Sequence, residues 1–80
     1  MSGNEQDGPS VQEQEMAQSV GLSTHRKFGD KTFQLYGVAE KGNPKKCNSL
    51  VETADAMKAS GEQVRVEEKA NIVAVYIRVE

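Results

Sequence analysis

The spacing of apolar residues changes twice along this chain, and those changes leave few folds open. Between Asn43 and Gly61 they fall at Cys47, Leu50, Val51, Ala54 and Met57. Such steps of three or one residues draw an apolar stripe along one side of a helix. Asn43-Pro44 places an N-capping side chain before a proline at the first helical position, and Gly61 supplies a left-handed stop. A helix is therefore predicted from Pro44 to about Ser60, with Glu52, Asp55 and Lys58 on its wet side.

On both sides of that helix the period is two. His25 to Phe28 and Lys31 to Val38 flank Gly29-Asp30, a loop pair suited to a type II′ hairpin because glycine takes its first position cheaply. A two-residue loop sets Phe28 opposite Lys31 and Arg26 opposite Phe33. Phe28, Phe33 and Leu35 then share one face, and His25, Lys27, Thr32, Gln34 and Tyr36 the other. After Gly61, Val64 and Val66 alternate with polar residues, and Lys69-Ala70-Asn71 turns the chain. Ile72 to Val79 is rich in β-branched residues. There Val73, Val75, Ile77 and Val79 occupy one face; Ile72, Ala74, Tyr76 and Arg78 occupy the other.

The expected fold is α+β: a four-stranded antiparallel sheet in ββαββ order with one helix on one face. Its expected core joins Phe28, Phe33 and Leu35 to Cys47, Leu50, Val51, Ala54, Met57, Val64, Val66, Val73, Val75 and Ile77. Residues 23–80 form this single domain. Residues 1–22 carry four acidic residues and no lysine or arginine, with few apolar side chains, and read as a mostly disordered, flexible leader. One local signal opposes that: Ser10 and Glu13 form a capping box that could open a helix from Val11 to about Val20, given an apolar surface for Val11, Met16 and Val20.

Lys31-Thr32-Phe33-Gln34-Leu35-Tyr36-Gly37-Val38, the capped helix, Val64-Arg65-Val66 and Ala74-Val75-Tyr76-Ile77-Arg78 together resemble a group of short uncharacterised archaeal proteins. Those have an LYGV first half, a helix, a VRV strand and a closing AVYVR strand. The resemblance covers roughly residues 26–79. It implies the hairpin–helix–hairpin fold, and it brings no activity with it.

The chemistry begins with absences. The one cysteine and one histidine, Cys47 and His25, lie on the apolar helix stripe and at a strand start, so they do not read as a catalytic pair. They are also too few for a metal cage, and neither a metal nor another cofactor is expected. Glu67 and Glu68 are adjacent in a strand and point to opposite sides, unlike paired catalytic carboxylates. No phosphate-cradling glycine loop is present. The chain reads as a non-enzyme. No apolar run approaches the ~20 residues that span a bilayer, so no membrane partner is expected. A lone cysteine points to a reducing, cytoplasmic setting.

Two surfaces remain. The sheet face away from the helix is expected to show Tyr36 and Tyr76 among Lys27, Arg65 and Arg78, a cationic patch on a chain of net charge −2. Rings set among cations suit single-stranded nucleic acid, whose bases stack while its phosphates meet the cations. Ile72, Ala74 and Val38 on that same face suit instead a protein partner, a homodimer or the leader helix. Lys41, Lys45 and Lys46 at the helix start oppose the helix dipole, which an anion bound there would relieve. The sequence thus describes a small binding module with two alternative uses of its open face.

Overall fold

The computed structural model of the protein describes residues 11–79. Its elements run α1 (Val11–Ser19), β1 (His25–Phe28), β2 (Lys31–Glu40), α2 (Pro44–Ala59), β3 (Val64–Lys69) and β4 (Ile72–Arg78). The strands form one antiparallel sheet in the order β1-β2-β4-β3. The α+β hairpin–helix–hairpin architecture is therefore as the periodicities indicate.

Local signals act where they were read. Gly29 has φ +70° while Asp30 stays outside the left-handed region, as a II′ turn requires, and Phe28 faces Lys31. The Asn43 side chain accepts from the Lys46 N–H at 3.4 Å, and Pro44 opens α2. At the other end Gly61 N–H reaches Lys58 C=O and Glu62 N–H reaches Met57 C=O, both at 3.0 Å, which satisfies the last helical carbonyls.

The first correction concerns the leader. Residues 11–22 are folded onto the sheet: Ala17 is 0% exposed and Leu22 3%. The helix ends with the same double hydrogen bond as α2, Gly21 N–H to Gln18 C=O and Leu22 N–H to Ala17 C=O, with Gly21 at φ +86°. Met16, Ala17, Val20 and Leu22 meet Phe28, Phe33, Leu35, Val38, Ile72, Ala74 and Tyr76 in one cluster. That burial supplies the apolar surface a nine-residue helix lacks in water. The Ser10 cap and the rest of the leader lie outside the described residues.

The second correction concerns faces. Leu35 pairs with Tyr76, so Phe33 and Leu35 share a side with Ile72, Ala74 and Tyr76 rather than with Val73 and Val75. A bulge between Leu35 and Gly37 then shifts the register, bringing Val38 onto the α1 side and Gly37 and Ala39 onto the α2 side. Small residues there let α2 approach closely. A Cβ at Gly37 would lie 2.9 Å from Leu50 Cδ1. The sheet is thus covered on both faces, by α1 and by α2, instead of having one open face. Val51 and Val66, both expected inside, are 38% and 37% exposed, because α2 fully buries only Ala54.

Candidate binding groove

Register decides which charged side chains meet. Arg26 and Phe28 on β1, Phe33 and Arg78 across β2 and β4, Tyr76 on β4, and Arg65 and Glu67 on β3 all belong to the α1 side. β1 and β3 are opposite edges of the sheet, which would stand roughly 14 Å apart if it were flat. Yet Arg26 Nη1 lies 3.6 Å from Glu67 Oε1, and the Arg65 guanidinium sits 4.2 Å over the Phe28 ring. The sheet is curled so far that its edge side chains close over its centre.

Beneath that closure Phe28 packs edge-on against Phe33 (5.2 Å, 89°) and Tyr76 (5.9 Å, 71°). Arg26 lies 4.8 Å over the Phe28 ring and 5.5 Å over that of Tyr76. Its Nη1 is buried with no hydrogen bond, so the negative ring faces and the Glu67 carboxylate are what balance its charge. Glu67 is shared, since Arg65 Nη2 also approaches it at 3.7 Å.

Next to this cluster opens a groove of about 450 Å³. Phe28 and Phe33 form its apolar wall, with Lys31, Lys58, Arg65 and Glu62 set around it, and Lys31 also approaches Asp30 at 3.6 Å. The hairpin turn supplies Lys31, the last turns of α2 supply Lys58, and β3 supplies Arg65. A second, larger cleft of about 680 Å³ runs between α1 and the start of α2. It has the opposite character, with Glu13, Glu15 and Glu40 facing Lys46.

Several expected binding residues take other places. Arg65, Tyr76 and Arg78 do come to one side of the sheet, but Lys27 pairs with Thr32 on the side of α2. Tyr76 is 0% exposed and its hydroxyl donates to Ser23 C=O at 2.6 Å, so it is a core residue and not a displayed ring. Tyr36 stands half-buried at the bulge. Of the three lysines at the helix start, Lys41 is paired with Glu68 at 3.0 Å and Lys46 lines the acidic cleft, while Lys45 is exposed. Arg26, Phe28, Lys31, Phe33 and Lys58 are the additions. The sequence signal for the first two is their place beside Phe33 in the hairpin, on the strand face that the alternation gives to the core rather than to a binding surface.

His25 is exposed beside Thr24, and Cys47 Sγ donates to Glu40 C=O at 3.3 Å. Neither has a catalytic neighbour in those contacts. Among the described residues no group of three His, Cys, Asp or Glu is placed to hold a metal ion, and no helix is long and apolar enough to cross a membrane.

Burial pushes the Tyr76 phenol above the ordinary tyrosine value, with the positive charge of Arg26 opposing the shift and the negative charge of Glu67 adding to it. The unfolded chain releases that proton near pH ~10. The stability carried by the neutral phenol is therefore whole below that pH and is lost as pH rises toward the higher folded value. At pH 8 the wild type should exceed Tyr76→Phe by about 1 kcal/mol in urea unfolding, through the bond to Ser23. That advantage should shrink as pH rises past ~10. A gap that stays constant over the range would mean an exposed, normally titrating phenol.

Comparison of the chain with family models, with curated proteins and with solved structures finds no match.

Proposed function

We propose that the protein is a small non-enzymatic binding module that holds single-stranded nucleic acid in the groove of Phe28, Phe33, Lys31, Lys58 and Arg65. The observation that carries this reading is the convergence of three cations on an aromatic wall in a chain of net charge −2. Lys31 and Lys58 stand at the rim, where they meet phosphates, and Arg65 offers the outer face of its guanidinium to a base. Its inner face is already supported by Phe28 at 4.2 Å. Bases stack on arginine planes as well as on rings, so the platform does not need the buried Tyr76. The face expected to take either nucleic acid or a protein partner is covered by α1, so the reading moves to this groove beside it.

The test is fluorescence anisotropy with a labelled oligothymidylate over a salt series. Wild type should bind at low salt and weaken linearly in log–log form. Lys31→Ala and Lys58→Ala should each weaken binding and lower the salt slope by about 1. Neither residue is part of the buried core, so circular dichroism should be unchanged. Binding that ignores both substitutions, or no binding at low salt, would dispose of the proposal.

A further inference from the structure

Backbone groups at the edge of the sheet point to a second site. β3 lies at one edge and β1 at the other. Gln63 C=O accepts from Arg78 N–H, so Gln63, Arg65, Glu67 and Lys69 turn their backbone groups toward β4. Val64, Val66 and Glu68 turn theirs outward, away from the sheet. The backbones of β1 and β3 do not come within 8 Å of each other, so the curl does not close this edge. β1 is short and its outward residues are His25 and Lys27, which blunts it against pairing. β3 is longer, has no bulge or proline, and carries Val66 at 37% exposure, beside a helix whose Val51 is 38% exposed.

We infer that two copies of this chain join edge to edge through antiparallel β3 strands, with a two-fold axis at Val66. The charge pattern selects that register. Keeping the α1 sides of both copies on one side of the joined sheet requires the axis to pass through a residue of the strand. An axis at Arg65 sets Arg65 against Arg65. An axis at Glu67 sets Glu67 against Glu67 and Arg65 against Lys69. The axis at Val66 sets valine on valine and, on either side of it, Arg65 of each copy against Glu67 of the other. It also uses the outward backbone groups of Val64, Val66 and Glu68 in both copies. The Arg65–Glu67 pairs fall at non-hydrogen-bonded positions, where opposed side chains come closest. A single strand edge buries little surface, so the dimer is one that dissociates on dilution.

Sedimentation equilibrium of the full chain should show the mass moving from one copy to two between about 1 µM and 1 mM. Arg65→Glu places carboxylates opposite Glu67, and Glu67→Arg places guanidiniums opposite Arg65. Each variant alone should stay monomeric over that range, with its fold checked by circular dichroism. An equimolar mixture should recover a one-to-one dimer, because every opposed pair is again of opposite sign. Val66→Pro removes the central outward N–H without touching the bonds to β4 and should also yield a monomer. A monomeric wild type, or a mixture that fails to associate while the wild type dimerises, would overturn the inference.

Discussion

Tyr76→Ala is expected to lower stability by about 3–5 kcal/mol, the usual cost of truncating a buried aromatic side chain. The ring is 0% exposed, lies edge-on to Phe28 at 5.9 Å and under Arg26 at 5.5 Å, and its hydroxyl is bound to Ser23 C=O. Its loss leaves a void in the middle of the α1-side core and removes one of the rings that balance the buried Arg26 nitrogen. A domain of this length holds roughly 4–12 kcal/mol in all. Urea unfolding followed by circular dichroism should therefore show the midpoint falling by at least about a quarter, or no folded baseline. Tyr36→Ala, at the half-buried bulge, should cost about 1 kcal/mol. Equal, small effects would return both tyrosines to an open face and take the core described above with them.

Ala17→Glu should be almost as damaging, by about 3 kcal/mol. A carboxylate has no partner at a position that is 0% exposed and enclosed with Leu22, Val38, Ile72 and Ala74. The nine-residue helix has no stability of its own to fall back on. Lifted from the sheet it should unwind, with loss of helical signal at 222 nm and new protease cleavage within residues 11–22. Gln18→Glu is the control, since it adds the same charge one position along on the exposed side and should change little. If the two variants behave alike, residues 11–22 are the free leader that their composition suggests.

These two experiments bear on the places where local and tertiary information part. The ends of α2 were legible because capping is decided within a few residues: Asn43 reaches Lys46, and Gly61 lets the last turn close on itself. The β1–β2 register was legible because a two-residue loop permits one pairing. Gly21 followed by Leu22 closes α1 as Gly61 closes α2, but the scarcity of apolar residues before it hides that this helix has a core to meet. Of the groove, the cations and phenylalanines could be read off one by one. Their meeting could not, because Arg26 and Arg65 come from opposite edges and are joined only by the curl of the sheet.

By itself the chain determined α2 and the four strands, their order, and the two sides of β1, β3 and β4, since these follow from contacts between near neighbours. Only the folded molecule decided which side of β2 lies with which side of β4, and therefore that Tyr76 is core and that α1 has a surface to cover. Two strands separated by a helix can pair in registers one residue apart, and each such step exchanges their faces. The choice rests on the bulge at Tyr36 and on how well both helices then pack, quantities that no stretch of neighbouring residues contains.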